Sequence, residues 1–231
     1  MILLLQVNIK TNKLIFSFEK EIEIFHVNHE ENDDQFLKSL DFMDADESER
    51  IKSLVCYKDK RSFAITRYAL KKILADKSSL NLESISIQSL KGQKPSACND
   101  YGAHFNVSHS DTDSVICVSQ NYDVGIDLEP VSSSVFCSEL SDCVLTAREK
   151  EIFHSLLPEE KKQFFLKCWT AKEAYCKLLG CGITENFKNL EITLGQESMI
   201  KKVDQSEIHF FWSGTVKNHC ICVAFRHRLG K

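Results

Sequence analysis

The sequence predicts an α+β fold made of two α/β lobes, and three observations carry that prediction. Short apolar runs of strand length cluster at the start of the chain, between residues 104 and 129, and again from residue 190 onward. Two long stretches with helical spacing, 57–75 and 158–179, lie between those clusters. The resulting order of strands, helices, strands, helices, strands is a mixed pattern, with a junction between similar lobes near residues 110–120. No repeat is visible in the sequence itself, and there is no low-complexity tail.

Each element has a local reason. Residues 2–7, 14–18 and 22–27 alternate short apolar runs with polar turns, and Thr11-Asn12-Lys13 reads as the turn of a hairpin between the first two. An acidic, helix-prone stretch follows over 33–50. In 57–75, Phe63, Ala64, Tyr68, Leu70, Ile73 and Leu74 fall near helical spacing, and the polar positions Lys58, Lys60, Arg61, Arg67, Lys71 and Lys72 are basic. Residues 84–90 read as a strand, followed by a turn at Lys91-Gly92-Gln93-Lys94-Pro95. Strands are expected at 104–108, 114–119 and 124–129. Thr146-Ala147-Arg148-Glu149 has capping-box spacing and starts a helix to about residue 156. Pro158 suits the first turn of a longer helix to 179, which Gly180 and Gly182 terminate. Closing strands are expected at 190–194, 208–212 and 219–225.

Composition narrows the class. At 231 residues the chain makes one large domain or two small ones, each with a real core. Hydrophobic residues at 43% and charged residues at 27% are those of a soluble globular protein. A net charge of -4 leaves no basic excess for a phosphate backbone and argues against a nucleic-acid binder. The ten cysteines form no CxxC pair and no Cys/His group with zinc spacing, so they read as reduced thiols, several of them buried. The apolar start Met1-Ile2-Leu3-Leu4-Leu5 is short and has neither a charged n-region nor a small-residue cleavage site, so it reads as a strand and not a signal peptide, and no run has membrane-span length. A cytoplasmic location is the expectation.

Four constellations carry chemistry. Asp127 and Glu129, in Gly125-Ile126-Asp127-Leu128-Glu129-Pro130, share one face of a strand while Ile126 and Leu128 face the core. Two adjacent carboxylates repel, and a hard divalent cation shared with substrate phosphates relieves that repulsion. Taken alone, the pair reads more readily as a solvated strand end. Glu173 and Lys177 are i, i+4 neighbours on the 158–179 helix, among Phe164, Phe165, Trp169 and Tyr175. In Asn106-Val107-Ser108-His109-Ser110, alternation puts Asn106 and Ser108 on one strand face with His109 at the strand end. Adjacent strand residues point to opposite faces, which argues against a Ser–His nucleophile pair. On the basic helix, Arg61 and Arg67 suit phosphate better than the lysines, because guanidinium binds it bidentately.

In this order the motifs resemble those of the Sfp-type 4'-phosphopantetheinyl transferases. Phe105-Asn106-Val107-Ser108-His109-Ser110 is similar to that family's FNxSHS segment, Gly125-Ile126-Asp127-Leu128-Glu129 to GxDxE, and Trp169-Thr170-Ala171-Lys172-Glu173-Ala174 with Lys177 to WxxKEAxxK. Gln93-Lys94-Pro95 resembles the GKP turn, with Gln in place of Gly. The resemblance spans about residues 55–195. It implies a pseudo-dimer of two similar lobes, 1–112 on the nucleotide and coenzyme A phosphate side and 113–231 carrying the metal, with the site in the cleft between them. It also implies magnesium-dependent transfer of the phosphopantetheine arm of coenzyme A to a serine of an apo carrier protein, releasing adenosine 3',5'-bisphosphate. Asp127, Glu129 and Glu173 would then hold Mg2+. Glu173 would take the serine proton directly or through a water, and Lys177 would stabilise the leaving phosphate. Ser108 and His109 would orient the pyrophosphate, and Lys94, Arg61 and Arg67 would grip the nucleotide half. The implied partner is an acidic helical carrier protein docking on a monomer, with no nucleic acid and no membrane; residues 131–145 are a candidate docking segment. The alternatives are another magnesium-dependent phosphoryl or nucleotidyl transferase and a non-catalytic coenzyme A-binding protein.

Overall fold

Alternating burial along the strands builds two antiparallel sheets, each covered on one face by a long helix. In a computed structural model, residues 10–14, 21–89, 94–98, 101–132, 138–181, 187–193, 199–202 and 208–227 are described. The first sheet has strand order β1 (Asn12–Leu14), β2 (Ile22–Asn28), β6 (Asp113–Ser119), β5 (His104–His109). The second runs β7 (Tyr122–Pro130), β11 (His219–His227), β10 (Ile208–Val216), β9 (Met199–Lys202), β8 (Leu190–Thr193). A small pair, β3 (Ile87–Gln88) and β4 (Ser96–Ala97), stands apart. Three helices follow β2: α1 (Phe36–Ser39), α2 (Ala45–Ser53) and α3 (Tyr57–Ser78). Three more follow β7: α4 (Ser138–Val144), α5 (Ala147–Ser155) and α6 (Pro158–Leu179).

The second lobe repeats the first. β2-β6-β5 and β7-β11-β10 have the same order and pairing sense, and the same helix series follows each leading strand. The repeat extends to single residues. Asp44 and Thr146 cap α2 and α5 through capping boxes with Glu47 and Glu149 at N3. Each glutamate binds a buried lysine, Lys71 or Lys172, which stands at the same position of a 22-residue helix. Both long helices end on a left-handed residue, Ser79 with φ 56° and Gly180 with φ 70°.

Strand alternation sorts the apolar residues into three cores. Ile116 and Val118 of β6 face α3 with Val27, Tyr68 and Leu74. Cys222 and Ala224 of β11 face α6 with Phe165, Ala171 and Tyr175. Between the sheets, Ile24, Val115 and Cys117 of the first meet Val124, Ile126, Leu128, Ile221 and Val223 of the second. This seam joins the lobes face to face.

Some expected boundaries differ from those observed. Asn12 and Lys13 are strand residues paired with His26 and Phe25, not a turn. They occupy a sheet edge, where polar residues such as Lys13, bonded to Glu23 at 2.5 Å, are as common as in turns. The acidic, helix-prone stretch 33–50 is helical as expected, but as short pieces that include α1 and the start of α2 rather than one helix. The division expected at 112/113 falls between two strands of one sheet, since β5 pairs with β6; the chain changes sheets at Gln120-Asn121. The strand expected at 2–7 and the turn residues Lys91, Gly92 and Gln93 lie outside the described residues. No described helix is long and apolar enough to cross a membrane. Of the cysteines, Cys117, Cys168, Cys176, Cys220 and Cys222 are buried, and every described one is a free thiol.

Candidate active site

The contact between β7 and α6 makes the site, and Gly125 makes the contact. A Cβ on Gly125 would lie 2.2 Å from the Ala174 carbonyl oxygen and 2.3 Å from the Leu178 amide nitrogen. The strand therefore presses against helix backbone, and the neighbouring side chains on that face, Asp127 and Glu129, meet Glu173 and Lys177. Val124, Ile126 and Leu128 point the other way into the seam, as alternation predicts.

Asp127 is almost fully buried. Its Oδ1 accepts from Lys177 Nζ at 2.6 Å and from Ser108 Oγ at 3.0 Å, while Ser108 Oγ in turn accepts from Lys177 at 2.9 Å. Its other oxygen, Oδ2, is buried without a hydrogen-bond partner, as is Glu173 Oε1. Burial and the Asp127 charge push the Glu173 carboxyl up to about 7, with Lys177 pulling the other way and Glu129 adding to the rise. Glu129 Oε1 accepts from the Trp169 indole at 3.0 Å. Among the described residues no group of three or more His, Cys, Asp or Glu side chains is placed to hold a metal ion as the site stands. The donor set nonetheless fits a hard cation: two buried carboxylate oxygens lack partners, and three carboxylates stand close enough to feel each other's charge.

β5 is the edge of the first sheet and separates two environments. Asn106 and Ser108 face β7; Asn106 Oδ1 accepts from the Ile126 amide at 2.9 Å and ties the lobes together. Val107 and His109 face the other way and line a cleft of about 990 Å³. Arg50, Phe63, Thr66, Arg67, Ser89 and Asp111 form other parts of its wall. Burial, then the Lys177 charge, lower the His109 pKa and so favour the neutral ring. Ser108 and His109 thus serve opposite sides of one strand.

The basic residues separate. Arg67 is on the cleft wall, buried, with its guanidinium 5.3 Å from the Phe63 ring centre. Arg61 is not among the described cleft residues; it donates to Asp33 at 3.1 Å. Lys94 donates to the Val124 carbonyl at 2.5 Å, and burial lowers its pKa to about 8. Lys71, expected on a basic surface, is buried against Glu47 at 2.6 Å. Lys172, in the middle of the WTAKEA motif, is wholly buried against Glu149, also at 2.6 Å, and does not reach the carboxylates.

Sequence reasoning missed Arg50, Phe63 and Trp169 as parts of the site. Arg50 stands over the same Phe63 ring at 5.5 Å, but in sequence it closes an acidic helix and reads as one charge among many. The Trp169 indole N–H, a lone donor beside a carboxylate motif, was the signal available.

Comparison with known proteins points to one family. A family model described as "4'-phosphopantetheinyl transferase superfamily" matches residues 123–224. A second, described as "4'-phosphopantetheinyl transferase, N-terminal", matches residues 28–121, so the two meet where the chain changes sheets. The chain is 37% identical over 93 residues to the 4'-phosphopantetheinyl transferase HetI of Nostoc sp., covering 40% of this chain and 39% of that protein. It is 29% identical over 129 residues to the 4'-phosphopantetheinyl transferase gsp of Aneurinibacillus migulanus, covering 55% and 53%. It is 23% identical over 180 residues to the 4'-phosphopantetheinyl transferase Sfp of Bacillus subtilis, covering 75% of each. The match thus spans about two fifths of the length of the first relative, half of the second and three quarters of the third.

Proposed function

The chain belongs to the 4'-phosphopantetheinyl transferase family, and from that premise we propose that it moves the phosphopantetheine arm of coenzyme A onto a serine of an apo carrier protein. The observation that supports this most directly is the pair of buried, unpartnered carboxylate oxygens, Asp127 Oδ2 and Glu173 Oε1, beside the Lys177 ammonium. Such an arrangement is costly in an empty protein and is relieved by a cation carrying a polyphosphate.

In this reading Asp127, Glu129 and Glu173 would hold magnesium, which when bound would supply positive charge to offset that of the pyrophosphate and of the leaving group. Glu173 takes the proton from the carrier serine, directly or through a water. The serine oxygen bonds to the phosphorus that bears the pantetheine arm, and the bond from that phosphorus to the bridging oxygen of adenosine 3',5'-bisphosphate breaks. Lys177 meets the charge left on the departing phosphate. Ser108 keeps Lys177 and Asp127 in place, while His109 and Arg67 face the cleft that would take the nucleotide half. Arg61 and Lys94 stay assigned to phosphate as well, although each now has a protein partner. The carrier is an acidic helical protein, and two lobes in one chain make a monomer the working unit.

The test mixes the protein with labelled coenzyme A, magnesium and a panel of apo carrier proteins. The expected result is a phosphopantetheine mass gain on a carrier serine. In Asp127→Asn the rate should fall on the order of a hundredfold or more with an unchanged circular dichroism spectrum. No mass gain on any carrier, or full activity in the variant, overturns the reading.

A further inference from the structure

We infer that Glu47, together with Ser89, is the positioning group that aims Arg67 at an anionic part of the substrate. The inference rests on the transferase reading above and on a difference between the two lobes.

In the second lobe, Glu149 is satisfied entirely by structure. Its Oε2 accepts from Lys172 Nζ at 2.6 Å and from the Thr146 amide at 2.8 Å, and its Oε1 accepts from the Ile192 amide of β8 at 2.7 Å. Lys172 also donates to the Val144 carbonyl at 2.7 Å. The first lobe repeats half of this. Glu47 Oε2 accepts from Lys71 Nζ at 2.6 Å and from the Asp44 amide at 3.0 Å, and Lys71 donates to the Phe42 carbonyl at 2.9 Å.

The other half is replaced. Glu47 Oε1 has no hydrogen-bonding N–H; it faces Arg67 Nε at an ion-pair distance of 3.4 Å. Arg67 occupies the position of α3 that Cys168 occupies in α6. At Cys168 the side chain is small, and β8 closes directly onto the glutamate. At Arg67 the guanidinium fills the gap, and its Nη2 donates to Ser89 Oγ at 2.9 Å, on the segment that follows β3.

Arg67 is therefore fixed on three sides: by Glu47, by Ser89 and by the Phe63 ring below it. Its Nη1 is buried and has no partner, and the residue is on the cleft wall. A guanidinium held this way has lost its rotamer freedom before binding, and a donor is left for a phosphate oxygen. Glu47 does not itself line the cleft. Its effect on the substrate passes through Arg67.

The experiment compares wild type, Glu47→Gln, Ser89→Ala and Glu149→Gln. Steady-state transfer at saturating carrier gives KM for coenzyme A and kcat, and thermal unfolding gives Tm. Glu47→Gln should raise KM about tenfold, the equivalent of ~1.4 kcal/mol of binding, with kcat within about twofold of wild type. Ser89 is exposed, so Ser89→Ala should keep its Tm and still raise KM, by about threefold. Glu149→Gln should lower Tm and leave KM unchanged. An unchanged KM in both Glu47→Gln and Ser89→Ala, or the same KM rise in Glu149→Gln, overturns the inference alone. Wild-type protein with no turnover and no affinity for coenzyme A overturns the transferase reading and this inference together.

Discussion

Glu173 shows how one side chain acquires its chemistry from its neighbours. In sequence it is half of an ordinary i, i+4 pair with Lys177. In the fold it lies on the β7 contact, where burial and Asp127 raise its pKa to about 7 from 4.5. The consequence for stability has a definite sign. Below about pH 4.5 the carboxyl is protonated in both folded and unfolded chains and contributes nothing. As pH rises from 4.5 to 7 the unfolded chain releases this proton freely while the folded one resists, so wild type loses stability across that window and does not recover it above. Glu173→Gln removes the penalty. Its Tm should match wild type near pH 4.5 and exceed it by several degrees above pH 7, at roughly 2–4 °C per kcal/mol for a chain of this size. Calorimetry across the pH range without magnesium measures this, and a Tm difference that does not change with pH would show that Glu173 is not strained. The carboxylates were legible as motifs because i, i+2 and i, i+4 spacing is a geometric statement. Lys172 and Arg50 were not, because the partner that gives each its meaning is far away in sequence.

At the scale of elements, the strand–helix contact at Gly125 decides whether the motifs meet at all. Spacing alone places Asp127 on a strand face and Glu173 on a helix face, and says nothing about the distance between them. The missing side chain at Gly125 is what lets β7 and α6 touch backbone to backbone. Gly125→Ala must part them by more than a rotamer change, since the clashing atoms belong to the main chain. A loss of about 3 kcal/mol, the upper part of the usual overpacking range, is expected, together with loss of transfer activity beyond what the residual fold explains. Urea unfolding and the carrier assay measure the two; a stable variant with full activity would mean the contact is looser than described. Most regular elements were readable for good local reasons: α6 begins at Pro158 and ends before Gly180, and α5 begins at a capping box. The failures were places where polarity has two meanings. Asn12 and Lys13 are polar because they form an edge strand, not a turn, whereas the helix-prone stretch 33–50 is helical as expected, in short pieces.

At the scale of the whole molecule, one chain holds two copies of a lobe but one set of site carboxylates. The strand equivalent to β7 is β2, which turns Phe25 and Val27 toward its helix where β7 turns Asp127 and Glu129. The first lobe thus keeps the scaffold, fills that face with core, and supplies the arginine cleft instead. Ser108 and Asn106 come from the first lobe and Asp127 from the second, so the site exists only while the sheets stay packed. The seam that packs them is continuous and apolar, from Ile24 through Val115 and Cys117 to Ile126 and Val223, all of them at most 1% exposed. Such an interface resembles the inside of one domain more than a contact between two, and it should couple the lobes in unfolding. Ile126→Ala, in the middle of the seam, should cost about 2–5 kcal/mol. The loss should appear equally in both lobes. Tryptophan fluorescence reports the second lobe, because Trp169 and Trp212 both belong to it, and hydrogen exchange of the β5 and β6 amides reports the first. Coincident shifts in the two probes are the expected outcome. A first lobe that keeps its wild-type protection while the second melts early would mean that the lobes fold as independent units and that the seam does not bind them into one.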